Sequence, residues 1–256
     1  CVAGMAVAEE TKPLAGQKLT IALSPNFMFF ETVSETDPTG YEGLDVDIIK
    51  ELSDMLGFEF EIVPMSFSSL VGSLQANSVD MVISGMTATE ERKQIVDFSD
   101  VYCTSSVGCV TKADSDINSF EDLQNQIVCC SQGTNYEMMI EDIPGTTLKT
   151  YQGQAAVGTA VAEATDGVAA GLTSINGAKK LATTMLDADG NPVKDASGVD
   201  ITTKTDADGN YTFTRLPMGS YKAFPKGSEL TAIFNEGIQA LKDSGKLEEL
   251  IQYWLY

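Results

Sequence analysis

Residues 79–100 read VDMVISGMTATEERKQIVDFSD. The apolar run 79–83 predicts a buried strand. Small residues follow it, and Glu90 and Glu91 are typical of the first turn of a helix. Arg92 is the single arginine of the stretch. Two interpretations of it are open: a surface charge paired with a neighbouring acid, or a cation placed to hold a ligand.

The chain before this stretch alternates between strand and helix patterns. Strands are predicted at 19–24 and 58–63, and helices at 45–56 and 69–76, with Gly57 as a helix cap and Pro64 as a strand end. A β-α-β-α-β order implies a parallel sheet with helices on its faces. Ligands of such sheets lie beyond the carboxyl ends of the strands, which here are the segments 24–30, 64–67 and 84–87.

A second unit begins near Val107. The pattern predicts strands at 107–111, 126–130 and 167–172 and helices at 119–123, after Gly133 and at 154–164. Two further helices are predicted at the end of the chain, between 230 and 255. At 256 residues the chain is long enough for two lobes, each with its own core.

The net charge of −21, from 16 basic and 37 acidic residues, argues against nucleic-acid binding. The chain has no histidine, which excludes histidine-dependent catalytic triads and histidine-based zinc sites. We therefore expect no catalytic residues, no metal and no cofactor.

The cysteines could form a disulfide or remain free. Cys109 could pair with Cys129 or Cys130, or these thiols and that of Cys103 could be free and buried. No CxxC pair is present, which disfavours a metal knuckle.

The first residues, CVAGMAVAEE, suggest an exported chain. Either Cys1 is a lipidated residue, or residues 6–8 are a small-x-small cleavage site. Both interpretations predict a location outside the cytoplasm, in the periplasm or at the cell surface. No run is long enough to span a bilayer.

Residues 185–220 break the pattern and contain DADGN at 187–191 and at 206–210. Strands at 199–205 and 211–215 flank the second copy, which predicts a hairpin turn. A calcium loop is the alternative, but the later glutamate that such loops use is missing.

Four blocks together resemble a known family: LTIALSPNFMFFE, YEGLDVDIIKEL, VDMVISGMTATEERKQIVDFSDVY and AFPKGSELTAIFNEGIQALKDSGKLEELIQYW. The chain is similar to the bacterial extracellular solute-binding proteins of family 3, the receptors of polar amino-acid ABC importers. The resemblance implies an α/β, type II periplasmic-binding-protein-like fold of two lobes joined by a two-strand hinge. Residues 19–104 with 221–256 would form lobe I and 105–220 lobe II, after a leader at 1–18.

The resemblance also implies a site. Arg92 would pair with the α-carboxylate of the ligand, helped by the helix N-terminus at 87–90. Backbone groups of Ser84 and Gly85 and the hydroxyl of Thr87 would complete the contacts in lobe I. The guanidinium geometry suits a carboxylate.

Four further positions follow from the same resemblance. Phe27 and Phe67 would enclose the aliphatic part of the ligand, and Thr134 and Asn135 would close on it from lobe II. Each has a structural alternative: the phenylalanines could be core residues, and Thr134 could be a helix cap.

Three features depart from the family. The aspartate that binds the ligand's ammonium is expected about five residues after Asp166, where Gly171 stands. Ser24 replaces an aspartate found in receptors for cationic or amide side chains, which disfavours lysine or arginine. Residues 185–217 resemble a fragment of the B-type repeats of Gram-positive surface proteins.

The sequence thus predicts a monomeric receptor that binds a polar amino acid, or a related small carboxylate, and delivers it to a membrane permease. The alternatives are an extracytoplasmic sensor or adhesin, for which the insert would be the distinguishing feature, and a dehydratase-like enzyme on the same fold.

Overall fold

The computed structural model describes residues 12–112, 115–184, 201–202 and 217–256. The strands of this part of the chain are β1 (Lys18–Leu23), β2 (Asn26–Phe27), β3 (Glu31–Val33), β4 (Tyr41–Glu42), β5 (Glu59–Pro64), β6 (Met81–Met86), β7 (Val96–Phe98), β8 (Cys103–Lys112), β9 (Ile127–Ser131), β10 (Thr147–Tyr151), β11 (Ala170–Ser174), β12 (Ile201–Thr202) and β13 (Pro217–Pro225). The α-helices are α1 (Leu44–Leu56), α2 (Phe67–Gln75), α3 (Glu90–Lys93), α4 (Tyr136–Glu141), α5 (Gly153–Ala162), α6 (Ile175–Thr184), α7 (Leu230–Asp243) and α8 (Lys246–Leu255).

Two lobes share one continuous path of strands, in the order β10-β9-β11-β8-β13-β6-β1-β5. In lobe I, β1 pairs in parallel with β5 and β6. In lobe II, β9 pairs in parallel with β10 and β11. The long strands β8 and β13 pair with each other in antiparallel register and join the lobes. The predicted two-lobe α/β fold with a two-strand hinge is confirmed, whereas the lobe boundaries remain a prediction.

The core of lobe I follows the apolar periodicity of its sequence. Helix α1 buries Ile48, Ile49 and Leu52 completely, and Gly57 ends it with a φ of 87°. A left-handed residue of this kind is a frequent helix end and suits glycine, which has no Cβ. The predicted helix and its cap are therefore confirmed.

Several sequence predictions need correction. The predicted helix 119–123 is a short 3₁₀ turn, Glu121–Leu123. Helix α3 has four residues, and β10, α6 and the small sheet β2-β3-β4 were not predicted. The predicted strand 167–172 begins at Ala170 and ends at Ser174, because a 3₁₀ turn at Thr165–Gly167 precedes it.

Of the two alternatives for the cysteines, the structure supports free buried thiols and not a disulfide. Strand β11 lies between β8 and β9, and Leu172 pairs with Cys109 on one side and with Cys130 on the other. Two strand spacings place these cysteines about 9.6 Å apart, beyond the reach of a disulfide. Cys129 lies in the same strand as Cys130, and all four described cysteines are free and buried.

Most of the insert lies outside the described residues, including both DADGN copies and with them the hairpin and calcium interpretations. Its described strand, β12, pairs with Lys112 and Thr111 of β8. None of the described helices combines the length and apolar character needed to cross a membrane.

Candidate functional site

A pocket lies between the lobes, beside the hinge strands and at the carboxyl ends of β1 and β6. It contains eight of the nine residues that the sequence singled out, all except Arg92. Its lining residues are Ser24, Asn26, Phe27, Phe30, Phe67, Ser84, Gly85, Thr87, Ser105, Ser131, Gln132, Thr134, Asn135, Tyr136, Gln152, Gly153, Gln154, Ser174 and Ser220.

The chemistry of this lining is uniform. Hydroxyl and carboxamide groups surround the aromatic rings, and the described lining residues include no acidic or basic side chain. No set of three potential ligating side chains among the residues described is arranged to hold a metal ion. The pocket is therefore suited to a small molecule with hydrogen-bonding groups and an aliphatic portion.

Ser24 and Ser84 form one polar edge of the pocket. The backbone N–H of Ser24 donates to Ser84 Oγ at 3.0 Å, and the Ser84 hydroxyl donates to Glu31 Oε1. The hydroxyl of Ser24 lies 3.3 Å from Asn26 Oδ1 and donates to it. These contacts fix both serines before any ligand is considered.

Gly85 has a φ of 53°, and its N–H donates to Asp45 Oδ2 at 2.7 Å. A Cβ at this position would lie 2.2 Å from Phe27 Cε1. The ring of Phe27 in turn stacks on that of Phe30, with centroids 4.6 Å apart. Gly85 therefore leaves room for the stacked rings of Phe27 and Phe30, which form the aromatic wall of the pocket. Its N–H already donates to Asp45 and is not available to a ligand carboxylate.

Arg92 lies just outside the pocket. It lines a neighbouring groove, to which Phe67, Thr134 and Asn135 also contribute. Its Nη1 donates to the carbonyl of Thr87 at 2.7 Å and its Nη2 to the carbonyl of Gly133 at 2.8 Å. The guanidinium therefore links lobe I to lobe II in this structure.

The charge of Arg92 is partly desolvated. Its guanidinium carbon lies 5.6 Å from the centroid of the Phe67 ring. Burial lowers the pKa of Arg92, whereas the charges of Glu91 and Glu137 raise it. Arginine stays protonated in proteins, so the cation persists. Asp97, an acid of the same stretch of sequence, pairs with Lys226 at 2.6 Å.

The helix expected at 87–90 is shorter and later than predicted. Helix α3 is a single turn that begins at Glu90, and the hydroxyl of its N-cap, Thr89, accepts the N–H of Arg92 at 3.2 Å. A single turn has little accumulated dipole, so the predicted support from a helix N-terminus is weak.

From lobe II, the turn 133–135 approaches lobe I. Thr134 lines the pocket, but its hydroxyl donates to the carbonyl of Ser131 at 2.6 Å. Gly133 has a φ of 79°, and a Cβ there would lie 2.7 Å from the Cα of Ser68. The close packing of this turn on α2 requires a glycine.

Gln154 is a pocket residue that sequence reasoning did not identify. Its Oε1 accepts the N–H of Met28 at 3.2 Å, and its Nε2 donates to Thr173 Oγ1 at 2.7 Å. The side chain is only 3% exposed and forms a second bridge between the lobes. The sequence signal that could have identified Gln154 is its position at the start of a predicted helix, next to Gly153.

Gly171, where the family's ammonium-binding aspartate was expected, is not among the residues that line the pocket. It lies inside β11, where a Cβ would be 2.6 Å from Val157 Cγ1. The residue at the end of the strand is Ser174, which does line it. Asp166 pairs with Lys149 at 3.7 Å, on an exposed turn.

Fold and pocket together define a class: two-lobe receptors that enclose a small solute in an interlobe cleft. The chain belongs to the bacterial extracellular solute-binding proteins, family 3, whose model matches residues 19–256. It is thus an extracytoplasmic solute receptor by family.

Curated relatives and solved structures are similar to this chain over most of its length. The arginine-binding extracellular protein ArtP of Bacillus subtilis is 32% identical, over 93% of this chain and 86% of its own length. The glutamine-binding protein GlnH of the same organism is 28% identical, over 84% and 72%. The crystal structure of an amino-acid ABC-transporter substrate-binding protein is 31% identical, with a TM-score of 0.74 over 93% of this chain and 98% of that one.

Proposed function

We propose that this receptor captures an L-amino acid with an uncharged polar side chain and delivers it to the permease of an ABC transporter by lobe closure. L-Glutamine is the first candidate. The supporting observation is the lining of the pocket, where hydroxyls and carboxamides surround three phenyl rings and the described lining residues supply no carboxylate.

A cationic side chain would have no carboxylate partner in such a lining. Burying an unpaired charge costs far more than burying a hydrogen-bonded amide. A glutamine side chain can instead exchange hydrogen bonds with serines and glutamines while its methylenes contact Phe27 and Phe67. The relation to both arginine- and glutamine-binding relatives makes this pair of amino acids the informative comparison.

Arg92 is proposed to hold the α-carboxylate. Two of its donors bond the carbonyls of Thr87 and Gly133, and a guanidinium has five. Because Thr87 and Thr134 line the pocket next to it, a carboxylate placed between these threonines would come within reach of the remaining donors.

A second candidate follows from the serine at position 174. Without an acid there, the ligand's ammonium would depend on neutral acceptors, so a small carboxylate that lacks an amino group is the alternative ligand. Glutaramate, which is glutamine without its α-amino group, represents this class.

Three further properties are part of the proposal. The protein acts without catalysis, because the described lining residues include no acidic or basic side chain, and burial raises the pKa of Tyr136, their titratable phenol. It acts as a monomer. Lipid attachment through Cys1 remains a prediction, since residues 1–11 lie outside the described part of the chain.

The ligand class is tested by thermal unfolding with each ligand in excess. L-Glutamine is expected to raise the Tm by several degrees, and L-arginine and L-lysine much less. A larger shift with glutaramate than with L-glutamine would favour the second candidate. A larger shift with L-arginine would contradict the ligand class.

The role of Arg92 is tested by calorimetric titration of Arg92→Ala. Loss of a buried charged contact is expected to weaken binding by at least about 2–5 kcal/mol. Lys93→Ala is the matched control, because Lys93 is exposed and pairs with Glu90 at 2.7 Å. Equal affinity of Arg92→Ala and the wild type would place the carboxylate elsewhere.

A further inference from the structure

A cluster of buried charged groups lies directly behind the pocket. Glu31, Asp45 and Lys222 are each fully buried, with 0% exposure. They come from β3, the first turn of α1 and the hinge strand β13. Charged side chains are almost never buried so completely unless they are paired, so this cluster requires an explanation.

Asp45 occupies the centre of the cluster. Its Oδ2 accepts the N–H of Gly85 at 2.7 Å, and its Oδ1 accepts the hydroxyl of Tyr102 at 2.6 Å. Tyr102 lies immediately before the hinge strand β8. One carboxylate thus connects the floor of the pocket to the hinge.

Lys222 provides the compensating charge. Within the described part of the chain its Nζ has no hydrogen-bond partner, and it lies 4.3 Å from the centroid of the Tyr102 ring. The strand around it is tied to the same segment, since Lys222 and Ser99 exchange backbone and hydroxyl hydrogen bonds at 2.9 and 3.0 Å. The ammonium is therefore held over the ring of the tyrosine that bonds Asp45.

We propose that Asp45, kept ionised by Lys222 and Tyr102, is a positioning residue of the ligand site that holds the Gly85 peptide and, through it, the Phe27 ring. Asp45 does not line the pocket and acts only through Gly85. An ionised carboxylate is a stronger acceptor than a protonated one, so its protonation would weaken the hydrogen bond that holds the Gly85 peptide against the Phe27 ring. The inference rests on the proposed function for its effect on ligand affinity.

The charges that surround Asp45 support this assignment. Burial raises the pKa of Asp45 to about 6, against the hydrogen bonds of Tyr102, Gly85 and Glu31 and the charge of Lys222. Burial and the charge of Asp45 raise the pKa of Glu31 well above its ordinary value, which favours a neutral carboxyl.

Lys222, Lys242 and Cys103 complete this electrostatic environment. Burial lowers the pKa of Lys222 to about 7, which Asp45 opposes and Lys242 of α7 reinforces. The thiol of Cys103 stays protonated, with its pKa raised to about 12 by burial and by Asp45. The chain has no histidine, so an acidic transition below neutral pH is not masked by ordinary imidazole titration.

The test follows the Gly85 amide by ¹H–¹⁵N correlation spectra between about pH 4.5 and 8, without ligand. The Gly85 resonance is expected to titrate with a midpoint near 6, as the pKa of Asp45 indicates. In Lys222→Met and in Tyr102→Phe the midpoint should move up by about one pH unit, because each change removes a group that favours the ionised form. Lys226→Met removes an exposed lysine of the same region and should leave it unchanged.

Affinity for L-glutamine, measured by calorimetry over the same pH range, should fall as pH decreases through the Gly85 midpoint and should follow that midpoint in the variants. A Gly85 resonance that is flat with pH, or a midpoint unmoved in Lys222→Met, would overturn the inference. Affinity that is independent of pH while Gly85 titrates would also overturn it. A failure of every amino acid to bind counts against the proposed function, and the ligand-free Gly85 titration then decides whether Asp45 holds the pocket floor.

Discussion

Gly85 combines a left-handed backbone conformation, a close approach to the Phe27 ring and a hydrogen bond to the buried Asp45. Its left-handed φ and its contact with Phe27 leave no room for a side chain. Nothing in the local sequence distinguishes this glycine from an ordinary loop glycine, because its constraint comes from Phe27, 58 positions earlier by numbering, and from Asp45.

Gly85→Ala is expected to lower both Tm and affinity for L-glutamine. An L-residue in the left-handed region costs about 1–2 kcal/mol. The added methyl would lie 2.2 Å from Phe27 Cε1 and would therefore displace that ring. Gly72→Ala is the control: it lies inside α2 with no atom within 4 Å of its Cβ, and should stabilise by about 0.5–1 kcal/mol. Thermal unfolding and calorimetry measure both; unchanged binding in Gly85→Ala would contradict the assigned role.

Ser174 and Gly171 give a second test at the scale of residues. Ser174 Oγ accepts the N–H of Gly177 at 3.0 Å and lies 3.4 Å from Gln154 Nε2, so an aspartate there would meet two donors. Ser174→Asp is expected to retain its fold, because Asp is also a good N-cap, and to strengthen binding of L-glutamine relative to glutaramate.

Gly171→Asp is the contrasting variant. Its carboxylate would enter the core against Val157, Val161 and Cys129, where no donor would compensate its charge. We expect a large loss of Tm for this variant and little for Ser174→Asp. If Gly171→Asp stays folded and changes ligand preference, Gly171 and not Ser174 is the ammonium position.

At the scale of elements, apolar periodicity predicted lobe I well. Helix α1 and strands β1 and β5 lie within one residue of their predicted positions, because their apolar residues pack in a local core. Strand β6 starts two residues and ends three residues later than predicted. Lobe II was predicted less accurately. Its strand β11 is shifted by a turn in which Ala164 and Asp166 have positive φ values of 49° and 52°, a conformation without a distinct sequence signal in these residues.

That shift bears on the position expected for the ammonium-binding acid. The family spacing of about five residues after Asp166 points to Gly171, which lies inside β11, whereas the strand ends at Ser174, a residue of the pocket. The strand end lies two residues later than the predicted end at 172. Element boundaries of this kind depend on tertiary contacts more than on local pattern.

The strand order of lobe II gives a prediction about its cysteines. Because β11 separates β8 from β9, Cys109, Cys129 and Cys130 are expected to be reduced thiols in the folded protein. Alkylation after unfolding without a reductant, followed by mass spectrometry, should label all three, and a reductant should leave the Tm unchanged. A mass consistent with a linked Cys109 would contradict the strand order.

At the scale of the whole molecule, the two lobes are held together by contacts that the linear sequence does not reveal. Arg92 bonds Gly133 and Gln154 bonds Met28, over separations of 41 and 126 positions. The strand pattern and the family resemblance together pointed to the eight pocket residues, which lie at strand ends, turns or the start of a helix. They could not locate Gln154 or the Asp45–Lys222 cluster, whose roles depend on how the lobes and hinge strands pack.

The interlobe pocket is proposed to receive an amino acid with an uncharged polar side chain. Calorimetric titration of the whole chain with each standard L-amino acid tests this most directly. We predict one-site binding of L-glutamine, and markedly weaker binding of L-arginine and L-lysine. The absence of measurable binding heat across all of these amino acids at several temperatures, or tightest binding of a cationic one, would contradict it.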